Sequence, residues 1–227
     1  MSSDEQAMVM GQEVEIRMSD RNQLIEQILE IELRMFLATP SREHAVCQDS
    51  PDGFILTRGS VFELWSTETL ESYLEDLRQA ETDGRNLMAE KYARMENLIP
   101  CTNINPAIGE IVEIETAWQD AVRAEYPHLM DGRPETGICK AEFDVYLRCE
   151  LETYSRRTLK CYLANDYDYL ERGVNQAEEK YLSIVRKLGY ATLEEAEKKA
   201  AEQEAASAEA SAYDDGKTGT SCRPAKA

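Results

Sequence analysis

The sequence predicts an all-α protein in which duplicated three-helix repeats pack as a pseudo-twofold helical bundle, followed by a C-terminal helix and a disordered tail. Three observations lead there. Residues 65–95 (WSTETLESYLEDLRQAETDGRNLMAEKYARM) and 154–184 (YSRRTLKCYLANDYDYLERGVNQAEEKYLSI) align without a gap at ten identities in thirty-one, where ordinary composition gives roughly two. A shorter stretch recurs as well: IEQILEIE at 25–32 matches IGEIVEIE at 108–115 in five of eight positions. Apolar residues return at steps of three and four, and only 11 of 227 residues are glycine, a profile of helices.

Residues 1–20 are polar and are expected to form a flexible N-terminus. The first strong helix is 24–37, where Leu24, Ile25, Ile28, Leu29, Ile31, Met35 and Phe36 share one arc at 100° per residue, with Glu32 in its middle. Ser50-Pro51 has the form of an N-cap followed by a first-turn proline and opens a helix through Phe54, Phe62 and Leu64. Ser66 then caps the repeated element. Its stripe, Leu70, Leu74, Leu77, Glu81, Gly84, Met88, Lys91 and Met95, keeps its phase through Gly84. One long helix with glycine at a close helix crossing is therefore expected, against the alternative of a turn at Asp83-Gly84-Arg85-Asn86.

A linker at 100–106 leads to the second copy. Matching residues lie 83 apart in the first helix and 89 apart in the long element, which assigns six extra residues to the loop EYPHLMDGRPETG. A helix around Phe143, Leu147 and Leu151 precedes Ser155, as the Phe54 helix precedes Ser66. Gly189 ends the last repeated helix, and Thr192-Leu193-Glu194-Glu195 is a capping-box pattern for one more. The expected organisation is a single domain over 21–198, with repeats at 22–99 and 107–190 and a tail at 199–227.

Lys and Arg number 25 against 44 Asp and Glu, a net charge of −19 that disfavours nucleic acid and anionic membrane as partners. No window is long and apolar enough to span a bilayer, and the opening residues do not read as a secretory signal. Six cysteines without a C-x-x-C pair then read as free thiols of a cytoplasmic protein, and His44 and His128 stand in no zinc-ligand spacing with them.

The function-bearing feature is a set of ionisable residues on faces the pattern assigns to the core. Glu32 and its repeat mate Glu115 sit mid-stripe, and Lys91 and Lys180 sit on the long-element seam. Arg58, Glu150 and Asp166 are buried by pattern in one copy only, Asp166 standing where the first copy has Leu77. Such charges must be paired, hydrated or bound to something. They form either an internal salt-bridge network or the lining of a cleft between the repeats. A cleft would take a small polar or anionic ligand, with Arg58, Lys91 and Lys180 gripping it, Glu150 and Asp166 orienting it and Tyr92 and Tyr181 at its margin.

A carboxylate-based hydrolase or transferase using Glu32 or Glu115 as base is the enzymatic alternative, and a structural or adaptor protein the third. Glu32 and Glu115 on facing helices also make a weak divalent-metal pair, without the E-x-x-H partner of di-iron bundles. No cofactor is assigned. Cys47, with His44 as its only nearby base, reads as an inert loop thiol more readily than as a nucleophile. Tyr73, Tyr92, Tyr162 and Tyr181 read as core tyrosines with hydroxyls at its edge.

Several strings in the chain resemble an uncharacterised protein family, domain of unknown function 4125. They are Cys47-Gln48-Asp49, Arg58, Trp65, Ser72-Tyr73-Leu74, Gly84-Arg85-Asn86-Leu87, Glu90-Lys91-Tyr92-Ala93-Arg94-Met95, Tyr146-Leu147-Arg148, Glu150-Leu151 and Thr153-Tyr154-Ser155. The resemblance covers roughly 22–197 and implies an all-helical fold with no activity to carry over. Cys149 departs from it, standing where glycine is expected.

Overall fold

The computed structural model describes residues 3–40, 50–131 and 140–215, so Cys47 and His44 lie outside the described residues. Among these the protein is all-α, with no strand. The first half comprises α1 (Ser3–Leu37), α2 (Pro51–Phe62), α3 (Thr67–Thr82) and α4 (Leu87–Met95). The second comprises α5 (Pro106–Glu125), a short α6 (Pro127–Asp131), α7 (Lys140–Leu151), α8 (Arg156–Glu171) and α9 (Gln176–Lys187), and α10 (Leu193–Asp215) closes the chain. Helix α1 begins at Ser3 and α10 runs to Asp215, both beyond the apolar pattern. No helix among the described residues is long and apolar enough to cross a membrane.

The expected single long helix is corrected in both halves. Gly84 and Gly173 take φ of +67° and +66°, in the left-handed region, and end α3 and α8. The Arg85 amide donates to the Ala80 carbonyl at 2.8 Å and the Val174 amide to the Tyr169 carbonyl at 3.0 Å, closing the left-handed turn that satisfies orphan carbonyls. Asn86 and Asn175 then cap α4 and α9, their side chains accepting from the Ala89 and Glu178 amides. A Cβ built on either glycine meets nothing within 4 Å, so no helix crosses there. Glycine is required for its backbone conformation, which costs an L-residue roughly 1–2 kcal/mol. The stripe keeps its phase because α3 and α4 both face the core; Glu81 and Gly84 themselves are exposed. Each half therefore carries the repeated element as two helices, not one.

Other boundaries follow the predicted chemistry. Ser66 and Ser155 accept from the Thr69 and Thr158 amides at the starts of α3 and α8. Gly189, with φ of +96°, ends α9. The Thr192 hydroxyl accepts from the Glu195 amide at 3.3 Å, opening α10. Ser50 precedes Pro51 as expected, but its side chain makes no capping bond.

The halves meet along α3 and α8. The Ser66 amide donates to Asn165 Oδ1 and the Ser155 amide to Asp76 Oδ2, and these pairs are repeat mates of one another. At the centre Trp65 packs edge-on against Phe62, Tyr73, Tyr154 and Tyr162, with ring centroids between 5.0 and 6.3 Å. The main core spreads from this cluster through α1–α5, α7 and α8. A smaller one, around Trp118, Val122, Leu129 and Val185, lies between α5, α6, α9 and α10.

Candidate functional site

Two buried charge clusters are built on one repeated pair. In the first half the Tyr73 hydroxyl donates to Glu32 at 2.6 Å, and in the second its mate Tyr162 donates to Glu115 at 2.9 Å. What surrounds the two glutamates differs.

Around Glu32 the charges are matched. Arg58 on α2 donates to both its oxygens, Nε at 2.8 Å and Nη2 at 2.6 Å, the bidentate geometry that makes such pairs strong. The same Nη2 lies 2.9 Å from Glu150 on α7 of the other half. Glu150 also accepts from Lys91 at 2.6 Å and from the Tyr154 hydroxyl at 2.7 Å. Lys91 Nζ stands 3.3 Å from the centroid of the Tyr146 ring and 5.7 Å from that of Tyr92, adding cation–π attraction where water is excluded. Two acids thus face two bases in one closed group.

The electrostatics agree. Burial works against the charge on Arg58 and on Lys91, but the carboxylates beside them outweigh it and raise both pKa values. Burial likewise pushes Glu150 up, and Arg58 with Lys91 overcomes this and holds it well below the usual carboxylate range. Tyr73 and Tyr154 stay protonated, pushed far up by burial and by the adjacent carboxylates.

Around Glu115 the matching is incomplete. Lys180 is half-buried and forms no ion pair among the described residues; its Nζ makes one long contact, 3.5 Å to Gln119 Oε1, and lies 4.4 Å from the Tyr181 ring centroid. Gln119 and Tyr181 hydrogen-bond to each other. Asp166 is fully buried and neither carboxyl oxygen has a partner. Burial first, and then the Glu115 carboxylate, push its pKa up to about 10, so it is a neutral acid at pH 7. Glu115 is also raised, by burial, against the opposing pull of Lys180 and the Tyr162 hydroxyl.

This second cluster opens on a pocket of ≈ 190 Å³ between α2 of one half and α5–α9 of the other. Of the residues expected at a ligand site, Arg58, Glu115, Glu150, Lys180 and Tyr181 border it. Glu32, Lys91, Tyr92 and Asp166 do not; the first two are consumed by the closed group, and Asp166 is near enough to Glu115 to feel its charge. The expected gripping role of Lys91 is accordingly corrected: its charge is spent on Glu150. Glu32 and Glu115 belong to separate clusters, and no group of three or more metal-binding side chains occurs among the described residues.

Three contributors went unnoticed in the sequence: Gln119, Gln176 and Trp65. Gln176 opens α9, is buried, and has no partner for Nε2; Trp65 is buried with no partner for Nε1–H. A signal for the glutamines was present in the internal alignment. At the repeat shifts of 83 and 89, Gln119 stands where the first half has Phe36, and Gln176 where it has Leu87, both core residues. Together with Asp166 for Leu77, three apolar core positions of the first half are polar in the second, and two of the three, Gln119 and Gln176, line the pocket. Leu147 meanwhile occupies the place of Arg58, so Glu115 lacks the fork that neutralises Glu32.

Comparison with known proteins adds a family. The model of the family described as "Protein of unknown function (DUF4125)" matches residues 22–198. The chain belongs to this family. Neither any curated protein nor any solved structure matches it significantly. In this DUF4125 protein the matched region starts inside α1 and ends inside α10, and so contains both charge clusters.

Proposed function

We propose that this DUF4125 protein binds a small organic anion in the pocket between α2 and α5–α9. The observation that carries the reading is the set of buried polar groups without partners among the described residues that belongs to the lining of one cavity. Lys180 brings a cation that faces the Glu115 carboxylate without forming a salt bridge among the described residues, and Trp65 and Gln176 bring buried N–H groups without acceptors among them. An unmet buried donor costs about 1–3 kcal/mol, which an acceptor from a ligand or an ordered water recovers. The closed group around Arg58 is structural: it docks α7 of one half onto α1, α2 and α4 of the other and walls the pocket.

The test is thermal unfolding of the full chain with a mixture of acetate, benzoate, succinate and phosphate, in wild type and in Lys180→Met. The variant is expected to fold, since Lys180 is half-buried and forms no salt bridge among the described residues. The mixture should raise the wild-type Tm and raise that of the variant by less than half as much. No rise in wild type, or equal rises in both, contradicts the proposal.

A second reading has one observation in its favour. Glu115 borders the pocket with a raised pKa, which suits a proton-transfer group of a carboxylate-based hydrolase or transferase. It requires turnover of a bound compound that Glu115→Gln abolishes while leaving binding intact.

A further inference from the structure

We propose that an anion entering this pocket is accompanied by a proton, which Glu115 takes up, so that the site fills in mildly acidic solution and empties as the pH rises. This rests on the anion-binding reading above and adds its regulation. The charge balance of the wall leads there. Arg58 and Glu150 line the pocket, but they belong to the closed group with Glu32 and Lys91, which is neutral as a whole. Arg123, on the same helix as Glu115, has a partner of its own. Glu115 and Lys180 remain, one acid and one base, and they answer each other before any ligand arrives. A bound anion makes three charges of two, and leaves surplus negative charge beside a carboxylate that is only 8% exposed. A proton on Glu115 restores neutrality and releases Lys180 to the ligand.

Glu115 is placed to take that proton. It accepts from the Tyr162 hydroxyl at 2.9 Å and forms no salt bridge among the described residues. Lys180 Nζ makes only the 3.5 Å contact to Gln119 Oε1, so acid and base attract each other without being locked together. Four helices pack against α5: α6, α7, α8 and α9. From α9, Lys180 favours the ionised acid, and from α8 the Tyr162 hydroxyl does the same. Asp166, also on α8, has no partner for either oxygen among the described residues. From α7, the charge of Glu150 opposes ionisation. Helix α6 brings Met130 to the pocket, while its His128 bonds to Glu204. Burial outweighs the pull of Lys180 and Tyr162 and raises the Glu115 pKa even without an anion.

The neighbouring acids do not substitute for it. Against burial, Arg58 and Lys91 hold Glu150 well below the usual carboxylate range, so it stays ionised. Asp166 already carries its proton at pH 7, with a pKa pushed up to about 10 by burial and then by Glu115, and has none to gain. Tyr162 is protonated too, pushed far up by burial and by the Glu115 carboxylate. An anion seated beside Glu115 adds a second negative charge to the burial that already opposes ionisation, so the loaded protein holds the proton harder than the empty one. Affinity is therefore full below the empty-state pKa of Glu115. It falls by up to about tenfold for each pH unit above that value, and levels off above the loaded-state pKa.

Benzoate is the probe, since a cavity of about 150 Å³ takes up benzene and ≈ 190 Å³ leaves room for one carboxylate more. It is titrated calorimetrically into the full chain at constant ionic strength, from about pH 5.5 to about pH 8.5, in two buffers of different ionisation enthalpy that report the protons exchanged. The wild-type Kd is expected to rise by at least about tenfold across that range, with up to about one proton taken up per benzoate bound. Glu115→Gln, which keeps an acceptor for Tyr162, should show a Kd that varies less than about twofold and no uptake, whereas Asp166→Asn should keep the wild-type slope. The proton count on the wild type needs no variant to fold. A wild-type Kd independent of pH, a slope that survives Glu115→Gln, or one that vanishes in Asp166→Asn would overturn proton uptake at Glu115 and leave the anion site standing. No binding of benzoate at any pH would overturn the coupling and the anion-binding reading together.

Discussion

Arg58→Met is expected to destabilise the fold by about 3–5 kcal/mol in chemical denaturation. The arithmetic is of charges rather than of bonds. In wild type Glu32 and Glu150 are answered by Arg58 and Lys91, and the four groups together are neutral. Removing the guanidinium leaves two buried carboxylates with one lysine, and Glu32, which is 0% exposed, keeps only the Tyr73 hydroxyl. The cost therefore comes mainly from the stranded acid. That makes a second variant informative: adding Glu32→Gln restores neutrality and keeps an acceptor for Tyr73, so the double variant should recover at least about half of the loss. A double variant as unstable as Arg58→Met alone would mean that packing, not charge, carries the effect.

The second large effect is a pH dependence centred on Asp166. Its folded pKa of about 10 lies far above the value near 3.9 expected in the unfolded chain. The folded protein thus keeps a proton that the unfolded chain releases above pH 4. Its contribution to stability is fully present below that pH and is lost progressively as the pH rises toward 10. Asp166→Asn removes this titration while preserving shape. The variant should gain on wild type by about 1.4 kcal/mol for each pH unit between about 5 and 8, read from denaturant curves at several pH values. Because Glu115 and Asp166 share one site, the proton belongs to the pair, and the slope measures the pair. A difference independent of pH would show that Asp166 is ionised in the folded state and has found a countercharge.

Much of the architecture was legible in the chain because local chemistry determined it. Ser66, Ser155 and Thr192 announce helix starts, and Gly189 a helix end, through bonds made within a few residues. The inward position of Glu32, Glu115, Lys91 and Asp166 was legible for the same reason, since helical phase alone decides which face a residue shares. The break at Gly84 was hidden because α3 and α4 both turn apolar residues to one core, so periodicity runs through a left-handed turn as if it were helix. The partition of the charges was hidden more deeply. Whether Arg58 meets Glu32, Glu115 or Glu150 depends on how α2 and α7 of different halves dock, and no spacing encodes that. Gln119 and Gln176 stood in plain view against Phe36 and Leu87, but each reads as an ordinary polar residue until the partner half shows that the position is buried.

The molecule has two tryptophans, and they suit a direct test of the central claim. Trp65 borders the pocket with a buried indole N–H that has no acceptor among the described residues, and Trp118 is not part of the lining. In a proton–nitrogen correlation spectrum of the full chain titrated with benzoate, the Trp65 indole signal is expected to move downfield and saturate, with the Trp118 signal nearly still. Both signals unmoved at concentrations up to about 20 mM, where a ligand of this size with millimolar affinity would have saturated its site, would contradict an anion seated against Trp65.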